Sequence, residues 1–332
     1  MTALTMTTDK LEVRDLRISF GRREVVHGVS LEVARGQAIG LVGESGSGKS
    51  VTGKAIMGLL RPPAQVSYGA LQFAGVGLPP VGQRRKVWGK GQQPVAMISQ
   101  NPFTALNPVF RISQTLGDVL TKRRGLSKQA AAARSLELLE SVRIPAAAGV
   151  LRSYPHELSG GMLQRVGIAL ALALDSSVLI ADEPTTALDV TVQAEILTLL
   201  DQLRLERQLG IIFISHDLAV VNDIASQVYV MYAGRIVEHG PVEQILEHPT
   251  HPYTHGLVES IPSVDVRQEI MASIPGTINS ARGLDDCCAL NPRCPFVDSV
   301  CRTDVPQLRT SRDGLRTACH HWERAVSVWG DR

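Results

Sequence analysis

Apolar and polar positions alternate along Leu11-Glu-Val-Arg-Asp-Leu-Arg-Ile-Ser-Phe20, the period of a half-buried strand, and Leu31-Glu-Val33 continues it after a turn expected near Gly28. These segments predict an antiparallel β layer. The next run, Ala38-Ile-Gly-Leu-Val42, is wholly apolar and ends in a glycine-rich stretch, and Val51 to Leu60 then reads as a helix. Arg61 to Gly91 is rich in Gly and Pro around a short strand at Leu71-Gln-Phe73, the composition of a surface connection. From Phe103 to Leu174 the pattern is helical, with Ser127 as an N-cap and Leu136, Leu139 and Val142 on one face. Two further apolar runs, Val178-Leu-Ile-Ala181 and Ile211-Ile-Phe-Ile214, flank a helix expected from Val192 to Glu206, the alternation of a parallel α/β sheet. Beyond Pro241 the chain is punctuated by Pro and His, and His248-Pro-Thr-His251-Pro-Tyr-Thr-His255 reads as a plain surface segment. After Pro275 no periodicity persists, so this tail reads as a separate appendage.

The 332 residues predict roughly two domains, and 44% hydrophobic with 20% charged residues is ordinary globular usage. A net charge of +2 supplies no broad field for nucleic acid, so no nucleic-acid partner is expected. The longest apolar run, Val166 to Leu174, is about half of the ~18 residues that a membrane-spanning helix needs. The first ten residues lack a basic segment followed by an apolar one, which points to the cytoplasm. All five cysteines, at 287, 288, 294, 301 and 319, lie in the last fifth of the chain, and clustered cytosolic thiols suggest metal rather than disulfides.

Gly43-Glu44-Ser45-Gly46-Ser47-Gly48-Lys49-Ser50 matches G-x-x-x-x-G-K-[ST] between a strand and a helix, as phosphate binding requires. Its glycines let backbone N–H groups curl round a phosphate, Lys49 reaches the β/γ-phosphates, and Ser50 is a Mg²⁺ ligand. The apolar run Val178–Ala181 ends in Asp182 and Glu183, at a strand C-terminus, where open α/β sheets place ligands. Asp182 is then a Mg²⁺ partner and Glu183 the general base for an attacking water. Leu158-Ser159-Gly160-Gly161-Met162, before a long apolar helix, offers a second phosphate-sized nest of N–H groups.

With those motifs in this order the chain resembles the ATP-binding cassette (ABC) family, whose signature is Leu-Ser-Gly-Gly-Gln; Met162 replaces the last residue. The resemblance implies an α/β cassette: a RecA-like parallel-sheet core with an antiparallel β layer, residues 1–102 and 176–240, and a helical signature subdomain, 103–175. A C-terminal cysteine-rich extension would follow over 241–332. It further implies that Gly43 through Val51 hold the ATP phosphates, that Phe20 stacks on adenine, and that Gln100 senses Mg²⁺ and water. His216 would contact the γ-phosphate, and Ala187-Leu188-Asp189 would be the D-loop. In this family two cassettes close head to tail, so Ser159, Gly160 and Gly161 would serve the partner's ATP.

Gln100-Asn-Pro-Phe-Thr-Ala-Leu-Asn-Pro108, Tyr154-Pro-His-Glu157 before the signature, Met231-Tyr-Ala-Gly234 and His251-Pro-Tyr-Thr254 resemble the ATPase subunits of dipeptide and oligopeptide importers. That branch usually has Asp where Asn101 stands. The resemblance implies two membrane permeases, a second ABC ATPase subunit in a heterodimer, an extracytoplasmic substrate-binding protein, and a place at the cytoplasmic face of the membrane. Nickel, opine and glutathione importers are close alternatives, and a soluble non-transport ABC ATPase is a more distant one. The spacings of Cys288, Cys294, Cys301 and Cys319 fit neither close C-x-x-C zinc pairs nor the ferredoxin run, yet four loop-borne thiols suit a closed site. The resemblance favours a [4Fe-4S] cluster over Zn²⁺, with Cys287, His320 and His321 as alternative ligands.

Overall fold

The computed structural model describes residues 9–78, 93–186, 188–261, 276–278, 283, 285–312 and 314–329. The first alternating segment forms β1 (Lys10–Phe20), antiparallel to β2 (Arg23–Ala34), and the chain reverses at Gly21-Arg22 rather than near Gly28. Gly28 lies inside β2 at φ 80°, where the register jumps from Leu16 opposite Val29 to Arg17 opposite His27. It is a bulge, and a Cβ there would stand 2.7 Å from Asp15 Oδ1, so glycine meets both the backbone and the space requirement. β4 (Ala64–Ser67) and β5 (Ala70–Phe73) also pair with β1, and β6 (Val76–Gly77) pairs with β5. The rest of the Gly- and Pro-rich connection, residues 79–92, lies outside the described residues.

β3 (Ala38–Val42), β7 (Val95–Ile98), β8 (Val178–Asp182), β9 (Gly210–Ser215) and β10 (Gln227–Tyr232) form parallel pairs in the order β10-β3-β9-β8-β7. Their continuous apolar runs follow from burial on both faces. The two-residue period sends Leu179, Ala181, Ile211 and Phe213 into a core shared with the helices, and Val178, Ile180, Ile212 and Ile214 into a second core beneath the β layer. α1 (Lys49–Ile56) contributes Ala55 and Ile56 to that second core.

The helical stretch comprises α2 (Pro102–Ala105), α3 (Ile112–Lys122), α4 (Lys128–Ser141), α5 (Ala147–Val150) and α6 (Gly160–Leu172). Ser127 caps α4 as expected, accepting the Ala130 N–H at 3.2 Å. The buried face of α4 runs through Ala131, Ser135, Leu138 and Leu139, whereas Leu136 is only half-buried, because α4 packs against both α3 and α6. After β8 come α7 (Val190–Arg207), β9 and α8 (Leu218–Asn222).

The C-terminal region is no separate appendage. β11 (Arg235–Pro241) pairs with β10 and is followed by α9 (Val242–Glu247), α10 (Pro252–Glu259) and α11 (Ser299–Thr303). β12 (Arg309–Thr310) and β13 (Arg316–Thr317) then extend the main sheet, ahead of α12 (Trp322–Trp329). β13 covers the outer edge of β11, where unpaired backbone groups would otherwise face solvent. Leu315 is fully buried against Gly240, where a Cβ would stand 2.3 Å from its Cδ2.

Nor is the His-Pro-Tyr-Thr segment a surface stretch: Thr250, His251, Tyr253 and Thr254 are all buried. The cause is Glu238 of β11, itself fully buried, whose carboxylate accepts the Thr250 N–H at 2.6 Å, the Thr250 hydroxyl at 2.6 Å and the His251 N–H at 3.2 Å. His251 Nδ1 in turn caps α10 by accepting the Tyr253 N–H at 3.1 Å, and burial pushes its pKa down to about 3, so the ring is neutral.

Candidate functional site

At the C-terminal end of β3 the glycine-rich loop takes backbone angles open to glycine: φ is 151° at Gly43, 85° at Gly46 and 106° at Gly48. A Cβ on Gly43 would lie 2.1 Å from the Met231 carbonyl oxygen, so the loop has no room for a side chain there. Gly48 leaves the N-terminus of α1 without a side-chain cap, the arrangement in which helix N–H groups remain for an anion. Lys49 opens that helix, and its buried ammonium donates to the carbonyls of Gly43 at 2.6 Å and Glu44 at 3.0 Å. Burial lowers its pKa, while the carboxylates of Glu183, Asp182 and Glu44 act the other way.

Ser50 Oγ donates to Asp182 Oδ1 at 2.7 Å, joining the start of α1 to the end of β8. Asp182 is 3% exposed, and burial raises its pKa against the pull of that hydrogen bond. This closely spaced oxygen pair suits a hard divalent cation. Beside it, Glu183 sits in the left-handed region at φ 47°, a conformation that costs a non-glycine residue of order 1 kcal/mol or more. Its N–H donates to the Ile214 carbonyl at 2.9 Å. Its Oε2 accepts from Gln100 Nε2 at 2.9 Å and from Thr186 Oγ1 at 3.0 Å, with His216 Nδ1 at 3.6 Å. Gln100 follows β7, Glu183 follows β8 and His216 follows β9; these strands are neighbours and parallel, so residues far apart in sequence meet at one sheet edge.

Phe20, 39% exposed, lines a cleft of about 480 Å³ with Ser45, Gly46, Gly48 and Val51. Ser47 is buried under the loop, and its backbone carbonyl accepts the Gly234 N–H. The signature residues stand elsewhere. Ser159 caps α6 by accepting the Met162 N–H at 3.3 Å, and Asp189 caps α7 by accepting the Val192 N–H at 3.0 Å. These two caps are adjacent: Cβ positions on Gly160 and Gly161 would lie 3.7 Å from Leu188 and 2.8 Å from Val192. Among the described residues, no hydrogen bond links Ser159, Gly160, Gly161 or Asp189 to Lys49, Ser50, Asp182 or Glu183. Ala187 of the expected D-loop lies outside the described residues.

Cys288, Cys294, Cys301 and Cys319 all lie in the C-terminal region, Cys301 and Cys319 buried and Cys288 and Cys294 half-buried. Burial raises all four thiol pKa values, to about 11 at Cys288 and about 12 at Cys319, and Cys288, Cys294 and Cys301 each add to the rise at Cys319. The Cys287 sulfur accepts from Asn291 Nδ2 at 3.3 Å. A tighter knot of potential ligands is Asp298, Cys301 and His321, whose ligand atoms lie within 4.8 Å of one another.

Two groups that local pattern did not reveal reach the phosphate loop. The Tyr253 hydroxyl accepts the Glu44 N–H at 2.7 Å, and Arg293 grips the Glu44 carboxylate through both terminal nitrogens, each at 3.0 Å. They lie 209 and 249 residues from Glu44, beyond any sequence period.

The sequence pattern described as ABC transporter matches residues 26–186, and that described as oligopeptide/dipeptide transporter, C-terminal region, matches residues 237–301. The chain is 41% identical over 315 residues to the dipeptide transport ATP-binding protein DppD of Escherichia coli, covering 94% of this chain and 96% of that one. It is 44% identical over 315 residues to the oligopeptide transport ATP-binding protein OppD of Haemophilus influenzae, covering 93% and 96%. A solved structure of cbiO1 from Clostridium perfringens, part of the ABC transporter complex cbiONQ, superposes with a TM-score of 0.61 at 25% identity, covering 72% of this chain and 90% of that one.

Proposed function

We propose a function from one premise: the chain belongs to the ATP-binding proteins of ABC transporters, in the dipeptide and oligopeptide group. It is an ATPase that energises a membrane importer, and the cargo we infer is di- and oligopeptides, as the names of its relatives state for them. The observation that carries the mechanism is the meeting of Gln100, Glu183 and His216 beside the Ser50–Asp182 pair. In this reading Lys49 and the loop of residues 43–51 hold the phosphates through the N–H groups that remain free, the Glu44 N–H being taken by Tyr253, and Phe20 stacks on the adenine. Ser50, Asp182 and Gln100 would hold Mg²⁺, which when bound supplies positive charge against the β- and γ-phosphates. Glu183 takes the proton of the attacking water; Gln100 and Thr186 hold its carboxylate, and His216 faces the γ-phosphate. Ser159, Gly160 and Gly161, held in the helical half and bridged to Asp189 through the α6–α7 contact, serve the nucleotide of an opposed cassette. The division of labour is a core of residues 1–102 and 176–240, a signature subdomain of 103–175 and a C-terminal region of 241–332.

The partners we infer are two permeases, a second ABC ATPase in a heterodimer and an extracytoplasmic binding protein, which puts the chain at the cytoplasmic face of the membrane. No described helix is long and apolar enough to cross a membrane, in keeping with attachment through permeases. For the C-terminal thiols we propose a [4Fe-4S] cluster held by Cys288, Cys294, Cys301 and Cys319, with Zn²⁺ as the alternative. Cys288, Cys294 and Cys301 each oppose ionisation of the buried Cys319 thiol, and a bound cationic group removes that penalty. Its role would be to staple a segment with little regular structure. The test is to tag the chain in its native host, extract membranes gently and identify what co-purifies, with iron, sulfide and zinc analysis. Two permeases and a peptide-loaded binding protein are expected. Recovery only from the soluble fraction with ribosomal or DNA-repair partners overturns the importer reading, and zinc without iron rejects the cluster.

A further inference from the structure

We infer that Arg293 is a positioning residue of the ATP site: it neutralises Glu44 at the lip of the phosphate loop, so the C-terminal region sets the affinity for nucleotide. The inference rests on the ATP-site reading above and deepens it. A carboxylate in a loop that must receive a polyphosphate is a liability, since it repels the incoming charge. Here Glu44 is bound fork-to-carboxylate at 3.0 Å by both Arg293 nitrogens, the geometry of the stronger ion pairs. The Arg293 side chain is 3% exposed, and its guanidinium lies 5.7 Å from the Tyr232 ring centroid, with the Tyr232 hydroxyl 3.4 Å away. Tyr253, packed 4.6 Å from Tyr232, accepts the Glu44 N–H at 2.7 Å, so both the charge and the backbone of this loop residue are held from the C-terminal region.

The placement of Arg293 also depends on its own neighbourhood. It stands next to Cys294, in a tight turn where the Asn291 N–H donates to the Cys288 carbonyl at 3.0 Å and the Arg293 N–H to the Leu290 carbonyl at 2.8 Å. The Cys288 N–H donates to the Cys301 carbonyl at 3.0 Å. The cysteine-bearing turn thus delivers a cation to the phosphate loop.

The full-length chain is titrated with a fluorescent ATP analogue at fixed Mg²⁺ and ionic strength. R293Q is expected to weaken binding about tenfold. The double variant E44Q/R293Q is expected to return to within about threefold of the unmodified chain, because the charge that Arg293 offsets is gone. A purely structural role gives no such recovery. R293Q binding like the unmodified chain, or E44Q/R293Q binding as weakly as R293Q, overturns the inference. If R293Q does not fold, E44Q alone decides: it binds at least as tightly as the unmodified chain, and weaker binding is fatal. K49A separates this inference from the reading beneath it. Undiminished binding by K49A sinks the ATP-site reading itself, whereas loss in K49A with full binding by R293Q sinks only the role of Arg293.

Discussion

Glu183→Gln tests the centre of the mechanism because the structure separates its effect on chemistry from its effect on folding. The Glu183 carboxylate accepts from Gln100 at 2.9 Å and Thr186 at 3.0 Å, both on Oε2. A glutamine side chain of the same shape presents its carbonyl oxygen to both donors, so both hydrogen bonds survive, now to a neutral acceptor. The left-handed backbone at φ 47° costs glutamine what it costs glutamate. Stability should therefore shift by no more than about 0.5 kcal/mol. Nucleotide binding should persist, since Lys49, Ser50 and Asp182 are untouched. Turnover is another matter: a neutral amide cannot take a proton from water, and loss of a positioned general base costs about 10²–10⁴ in rate, or about 3–5 kcal/mol of barrier. The assay is phosphate release by the assembled transporter, with equilibrium binding of a nucleotide analogue measured on the same preparation. Turnover within about fivefold of the unmodified transporter would refute Glu183 as the base, as would loss of binding in proportion to loss of rate.

Two further predictions concern the framework. Gly43→Ala places a Cβ 2.1 Å from the Met231 carbonyl oxygen at φ 151°, so it should cost about 2 kcal/mol or more in denaturant unfolding and abolish nucleotide binding; an unchanged midpoint would contradict the loop geometry. Burial pushes Glu238 up to about 6, so the folded chain holds this proton more tightly than the unfolded one, whose carboxyl titrates near 4.5. The sign follows: the contribution is full below about pH 4.5 and is lost as pH rises through about 6, a decline of about 2 kcal/mol. It is read as the difference in pH slope between the unmodified chain and E238Q, and equal slopes would remove Glu238 as its source.

Much of the fold was legible because strands and helices here advertise themselves locally. Ala38–Val42 is apolar throughout, and Val178–Asp182 and Gly210–Ser215 are apolar up to their last residue, since both faces are covered, and Ser127 caps its helix with its own hydroxyl. Gly28 misled for a physical reason: a positive-φ glycine serves a bulge as well as a turn, and only the register of the opposite strand distinguishes them. The burial of His251 and Tyr253 was hidden because it depends on one acidic residue, Glu238, whose unpaired burial would be prohibitive and which the backbone of residues 250–251 satisfies.

The sequence alone determined the glycine-rich loop between a strand and a helix and the strand that ends at Asp182, because turn angles, helix starts and two-residue periods are properties of short segments. Only the tertiary structure decided that Gln100, Glu183 and His216 share one edge, that β13 completes the sheet, and that Arg293 and Tyr253 close on Glu44. Such contacts depend on strand order and on the path of the chain between strands. Where those are set by burying two cores at once, no local pattern records which distant residue will arrive beside which.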